Sequence, residues 1–416
     1  VNHQVVTEEY DSIIIGAGLS GLACALKLQE NGQRPLVLEK ETAPGGRVRT
    51  DEKEGFLLDR GFQVYLDAYP CAQTLLDHEA LDLRPFEPGA LVRVGGNFHR
   101  VMDVFRRPKS LLSTALSPVG TFADKLRIAQ LRNRCRYFTL TDVARDADRS
   151  TEEFLQLCGF SRAMIEDFFR SFYGGVFHDN SLRTASRFFR FTFKMFSEGM
   201  ATLPAKGMEE IPRQLASRLP QEDIQCGVTV AAMTQNRVRL RDGRVYRAKN
   251  IVLAMPADAA KTLVPSLQVT PPKWRSSCTL YFAAPESPLK EPILVLGGSE
   301  CKLVNHLAVP SDLSPYYAPS GQALIAASVL GLPDERTLLP KVREELVQWF
   351  GPSANDWRHL HTNVIKHALP AMNSETEPPR LPPPRLFFCG DHQTIPSIEG
   401  AITSGQKTAE AILGQA

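Results

Sequence analysis

A chain of 416 residues, 43% hydrophobic and 23% charged, has the balance of a globular protein and is long enough for two domains. Its formal net charge of +2 gives no bias toward nucleic acid, and it carries no nucleic-acid-binding motif, so no nucleic acid is expected as a partner. Eight cysteines scattered singly, with no CxxC pair, argue against a zinc site or a disulfide framework and for reduced thiols in a cytosol-like compartment; no metal is expected.

The amino end, VNHQVVTEEYDS, lacks the apolar core of a signal peptide, and no run reaches the roughly 18 apolar residues of a membrane span. A cytoplasmic location is the expectation. Because the sequence starts at Val1, import into an organelle before removal of a leader stays open.

The segment YDSIIIGAGLSGLACALKLQENGQRPLVLEK reads as strand, tight turn, helix and second strand. Gly16 makes the turn, Gly18 lets the backbone approach a pyrophosphate, and Gly21 lets helix and strand pack closely. The amides at the helix start, Leu19 and Ser20, are offered to the anion. Glu39 ends the second strand, with Lys40 next to it, where an acid accepts hydrogen bonds from an adenosine ribose. An acid rather than Arg argues against a 2′-phosphate. This motif alone does not separate NAD from FAD.

Six residues past Glu39, Gly45-Gly46-Arg47 suits a loop whose amides and guanidinium pack on a phosphate. FLLDRGFQVYL follows, with Asp59, Gly61, Phe62 and Gln63. With these residues in place, IIIGAGLSGLACALKLQENGQRPLVLEKETAPGGRVRT resembles the amino end of the flavin-containing amine oxidase, phytoene desaturase and protoporphyrinogen oxidase superfamily. Residues 226–256, CGVTVAAMTQNRVRLRDGRVYRAKNIVLAMP, are similar to that family's middle strands, where a Val backbone contacts adenine; the position is Val230, with Val228 the alternative.

The closing segment RLFFCGDHQTIPSIEGAITSGQKTAEAIL resembles the family's last flavin motif. Phe387-Phe388-Cys389 reads as a buried strand, and Gly390 permits close approach. By resemblance Asp391 lies on the ribityl chain. The helix starting at Ser397 or Ile398 then points its amino end at the flavin pyrimidine. Gly400, Ser404, Gly405 and Ala409 suit packing against the first helix.

The resemblance implies FAD as cofactor and an α/β fold: a Rossmann-like FAD-binding domain from 1–82, 201–265 and 350–416, and a discontinuous α+β substrate domain from 83–200 and 266–349. Local signals add a capping box from Ser150 to Glu153, a helix from Met208, and an extended proline-rich link at 375–386.

A flavin accepts hydride from a C–H bond at N5, and the protein aligns the substrate and excludes water. The leading expectation is desaturation of a small hydrophobic substrate, isoprenoid- or porphyrinogen-like, with oxygen or quinone as electron acceptor. Amine oxidation is the alternative. The resemblance would then call for an aromatic residue where Ser397 stands and a strand Lys where only Lys273 precedes the strand. A prenyl-binding escort protein without redox chemistry is a third reading.

Tyr65, Lys366 and His392 are candidate catalytic residues by adjacency to the motifs, and His178 in GGVFHDN is a weaker one. Each has a plainer reading: Tyr65 as core, Lys366 as a solvated strand residue, His392 as a structural imidazole. The aromatics between Phe168 and Phe196 read as a tunnel lining or as core. The basic, apolar stretch 104–138 reads either as a peripheral membrane contact or as a solvated helix face.

Overall fold

The computed structural model describes residues 6–138, 149–265, 267, 271–372 and 385–414. The expected link at 375–386 lies outside them except for its last two residues.

The apolar run Ile13-Ile14-Ile15 forms the end of a central strand, Val6–Ile15, buried on both faces as parallel strands are. Pro35–Leu38 pairs with it on one side and Val245–Leu253 on the other, both parallel. Ile224–Gln225 and Leu386–Phe388 extend the sheet in parallel beyond these. An antiparallel pair, Val230–Met233 and Arg237–Leu240, completes it, so seven strands pair in this sheet among the described residues.

Register decides where a ligand can sit. Ile15 stands opposite both Leu38 and Leu253, and Leu253 stands opposite Phe388. The chain therefore leaves the sheet at Gly16, Glu39, Ala254 and Cys389 on one level. That common edge is the carboxyl end of parallel strands, where such sheets open a crevice.

Helix Leu19–Glu30 lies against this sheet, and helix Ile398–Leu413 packs on it. The contact requires a glycine: a Cβ on Gly405 would stand 2.2 Å from the Ser20 carbonyl oxygen and 3.0 Å from the Cys24 nitrogen. The first and last helices of the described chain are thus neighbours.

A second sheet, also seven strands among the described residues, runs in the order Arg358–Pro370, Trp274–Ala284, Ala323–Leu330, Val304–Ala308, Leu294–Leu296, Gly89–Val94, Asn97–Met102. Helix Glu335–Phe350 covers one face, where Leu338, Val342 and Leu346 meet Cys278, Leu280 and Phe282. Tyr281 and Ala283, alternating with these along the strand, join the larger core. Arg358–Pro370, which falls in the expected 350–416 segment, hydrogen-bonds along Trp274–Ala284 in this second sheet.

Helix Thr151–Leu157 packs on helix Ser186–Glu198, and its capping box forms as expected: Ser150 Oγ accepts from the Glu153 amide, and Glu153 accepts from the Ser150 amide. The helix expected from Met208 runs over Glu210–Ala216. Phe169, Tyr173, Phe177, Phe188, Phe189 and Phe191 are buried and pack on one another, which makes this group core.

Candidate active site

The level edge of the first sheet is shaped by glycines with different tasks. Gly16 has φ +112°, and a Cβ there would stand 2.4 Å from the Ala254 carbonyl oxygen, so both conformation and space demand glycine. Gly21 would put a Cβ 2.0 Å from the Gly16 oxygen, which fixes how closely helix and turn approach. Gly18 is different. Its φ is −72°, and nothing lies within 4 Å of its Cβ position. The protein's own packing does not need a glycine there; open space stands beside it.

That space faces a helix terminus. Gly18 caps Leu19–Glu30 with no side-chain hydrogen bond and no acidic residue in the first turn, leaving amides and dipole to attract an anion. The next wall is Gly45-Gly46: the Gly45 amide donates to Ala17 O at 2.9 Å, and Gly46, at φ +60°, would bring a Cβ to 3.3 Å from Gly18 Cα.

Glu39 is buried, and its carboxylate accepts from the Ala17 amide at 2.7 Å and the Glu41 amide at 2.9 Å, one on each oxygen. Each oxygen keeps a further lone pair. Lys40 is exposed, 3.8 Å from Glu41, with its ammonium in solvent. Of the two valines, Val228 uses its amide on the Glu39 carbonyl at 2.9 Å, while Val230 opens the next strand opposite Leu240.

The amino-terminal and carboxy-terminal motifs meet at Arg47 and Asp391. Arg47 forms an ion pair with the buried Asp391, donates to Ala368 O at 3.1 Å, and lies over the Trp274 ring at 5.6 Å. The Gly390 amide donates to Ser404 Oγ at 3.0 Å, tying the acid's turn to the last helix. Ser397 caps that helix, accepting from the Gly400 amide at 3.0 Å, and Ile398 is its first residue. Gln63 donates to Arg47 O at 2.9 Å and to Arg60 O at 3.1 Å, so it holds the arginine's backbone. Gly61 has φ +87°, and the Phe62 amide donates to Thr279 Oγ1 at 3.2 Å across to the second sheet. Asp59, beside this turn, accepts from Thr50, Tyr317 and the Met208 amide; burial nonetheless pushes its carboxyl up to about 6.

The three catalytic candidates fare differently. Tyr65 is a core residue: it is fully buried, its hydroxyl bonds to His78 at 2.8 Å, and its ring meets Tyr69 edge-on. Lys366 is exposed. Its neighbour Ile365 is the side chain that a Cβ on Gly61 would meet, so strand alternation turns Lys366 to the opposite face. His392 stays beside Asp391, its ring 4.9 Å from Phe388; burial lowers its pKa, with the Asp391 charge opposing, and its Nε2 has no hydrogen-bond partner among the described residues.

The structure adds a group that the motifs did not point to. His306 is buried on strand Val304–Ala308, its ring 5.1 Å from Phe62. Its Nδ1 donates to Asn305 Oδ1 at 2.9 Å, and Asn305 Nδ2 donates to Asn180 at 3.1 Å. His306 Nε2 is left buried without a partner among the described residues. His178 stands next to this group in a left-handed conformation, φ +51°, where helix Arg170–Phe177 ends. Burial, then the Arg47 charge, lowers His178 to about 4; burial, then His178, lowers His306 to about 3. Both imidazoles are neutral at physiological pH; the His306 ring meets Phe62, and His178 feels the Arg47 charge. A sequence signal existed: Asn305-His306 is a polar pair inside an otherwise apolar strand.

No group of residues that could hold a metal ion is present among the described residues.

Comparison with known proteins follows the same lines. Wild-type putrescine oxidase, solved with putrescine bound, superposes with a TM-score of 0.72 at 17% identity, covering 98% of this chain and 99% of that one. A putative protoporphyrinogen oxidase from Exiguobacterium sp. 255-15 gives 0.70 at 17% identity, covering 99% of both. At such identities the likeness speaks for the fold, which is that of FAD-dependent amine oxidases. Prolycopene isomerase 2, chloroplastic, from an Oncidium hybrid cultivar, is 47% identical over 57 residues, 14% of this chain and 10% of that protein. The chain thus matches only a tenth of that curated relative's length. The family model described as flavin containing amine oxidoreductase matches residues 19–413, nearly the whole chain. The cofactor is a flavin, and the chain belongs to the flavin containing amine oxidoreductase family.

Proposed function

We propose that the chain is an FAD-dependent oxidoreductase that dehydrogenates an apolar, isoprenoid- or porphyrinogen-like substrate. The observation that carries the reading is the meeting of both ends of the chain at one crevice: Arg47 pairs with Asp391, and the last helix lies on the first across Gly405. FAD is too long to be held by one βαβ unit, and this arrangement provides two grips. The open space at Gly18 and the uncapped helix start fit a pyrophosphate, and the free lone pairs of Glu39 fit a ribose. In this reading Gly16, Gly18, Leu19, Ser20, Gly21, Gly45 and Gly46 cradle the phosphates and Asp391 takes the ribityl chain. Gly61, Phe62, Gln63, Ser397 and Ile398 stand toward the ring.

When bound, FAD accepts a hydride equivalent from a C–H bond and is reoxidised by oxygen or a quinone. The chain's own part is to orient the substrate and exclude water, while the proton that leaves with the hydride passes to solvent. His178 and His306, kept neutral by burial, suit the orienting task; at about 4 and 3 they are too weakly basic to take up that proton at neutral pH. Two features weigh against an amine substrate: Ser397 supplies no aromatic wall, and Lys273 is exposed ahead of strand Trp274–Ala284.

Anaerobic mixing of the FAD-loaded protein with an isoprenoid, a porphyrinogen or putrescine tests the reading. Flavin bleaching by the isoprenoid or the porphyrinogen is expected. Bleaching by putrescine alone would replace the proposal with amine oxidation.

A further inference from the structure

Among the described residues, seven of the ten large apolar side chains that stay mostly exposed lie between residues 105 and 137. Leu112 and Leu116, 74% and 82% exposed, are the most exposed leucines of the group and lie on helix Leu111–Leu116. Phe122 and Leu126 follow one turn apart on helix Phe122–Arg136, on the side away from its buried residues Asp124, Leu131 and Cys135. The two helices are clamped: Lys125 donates to Ala115 O at 3.2 Å and Ser117 O at 2.6 Å, satisfying carbonyls at the end of the first helix. The apolar side chains are therefore held outward by a rigid base. A cluster of this kind on a soluble surface marks an interaction site.

Charge says what the site fits. Residues 104–138 hold eight Lys and Arg and one acid, Asp124; Arg127 pairs with that buried acid, and Arg106 and Arg132 pair with Asp103 and Arg107 with Glu87 just outside the stretch. Lys109, Arg134 and Arg136 are exposed and form no ion pair with a carboxylate among the described residues. Apolar side chains projecting from a cationic face match a bilayer with an anionic surface: the leucines enter the acyl boundary while the cations meet headgroups. No helix of the described residues is long and apolar enough to cross a membrane, so the contact is peripheral.

We propose that the face formed by helices Leu111–Leu116 and Phe122–Arg136 docks the protein on anionic lipid bilayers, with Leu112, Leu116 and Phe122 as the inserted side chains. This does not depend on the substrate reading. The test is co-sedimentation of the FAD-loaded full chain with vesicles of equimolar phosphatidylcholine and phosphatidylserine, and with phosphatidylcholine alone. The protein is expected to pellet with the anionic vesicles only, to be released by high salt, and to lose at least tenfold in partitioning as Leu112→Ser/Leu116→Ser. Flavin content and urea midpoint should not change, because both leucines are exposed. Lys109→Glu/Arg136→Glu should weaken binding as well, without touching the apolar residues. Equal partitioning onto neutral and anionic vesicles, or none onto either, overturns the proposal. So does a concentration-dependent dimer that the leucine substitutions dissolve, which would assign the face to a second copy.

Discussion

Gly16 and Gly18 are two residues apart, and the account assigns them opposite dependencies. Gly16→Ala forces an L-residue to φ +112° and places its methyl 2.4 Å from a backbone oxygen that cannot swing aside. Strain at such an angle costs about 1–3 kcal/mol, and overpacking against backbone a similar amount, so a loss of roughly 3–5 kcal/mol in unfolding free energy is expected. Gly18→Ala keeps an ordinary φ of −72° and meets nothing within 4 Å. Its stability should stay within about 1 kcal/mol of the original, the small cap preference and the lower chain entropy nearly offsetting each other. FAD affinity should nevertheless fall at least tenfold, about 1.4 kcal/mol, because the methyl occupies the space left for the pyrophosphate. Urea unfolding of the flavin-free variants and titration with FAD read the two effects separately. If Gly18→Ala binds FAD as tightly as the original chain, or loses as much stability as Gly16→Ala, the assignment of that space to a ligand is wrong.

Asp391→Ala removes the buried partner of Arg47, whose side chain is 40% exposed and can rehydrate; a loss of about 1–3 kcal/mol in stability is expected, with weaker FAD binding. An unchanged urea midpoint together with unchanged FAD affinity would show that the pair grips nothing. Gly405→Val should push the last helix off the first and cost about 3 kcal/mol, seen as earlier urea unfolding and faster proteolysis of the carboxy-terminal helix. His306 has a folded pKa of about 3 against 6.5 unfolded, so its stabilisation is complete above about 6.5 and is lost as pH falls toward 3. At about 1.4 kcal/mol per pH unit the span is on the order of 4–5 kcal/mol. His306→Asn keeps the donor to Asn305 and should remove that slope. Asp59, raised to about 6, contributes the opposite slope between about 3.8 and 6, so the difference between variant and parent is the quantity to read. A difference that stays flat with pH would mean His306 is not held neutral.

Much of the cofactor end was legible because its signals are local. A positive φ at Gly16, a close approach at Gly21 and a helix start after Gly18 need only a few consecutive residues to be recognised, and Asp391 follows a strand and a glycine in the same manner. What escaped depended on partners far along the chain. Whether Arg358–Pro370 joined the first sheet or the second was decided by pairing with Trp274–Ala284, which no local pattern announces. The parity of that strand then decided that Ile365, and not Lys366, faces Gly61. Tyr65 looked like a pocket residue from its position after the Gly61 turn, but its hydroxyl is satisfied by His78, thirteen residues on. The polar pair Asn305-His306 marked its strand, but what His306 faces was not legible, because Phe62 and His178 come from distant parts of the chain.

The central claim is that both ends of the chain grip one FAD molecule, and the most direct measurement is the visible absorption of the purified protein with identification of the released cofactor. The account predicts the two bands of oxidised flavin and FAD in the extract, with both reduced together by Gly18→Ala and by Asp391→Ala. A colourless protein that FAD cannot reconstitute, or one that takes up a nicotinamide dinucleotide in its place, would contradict it.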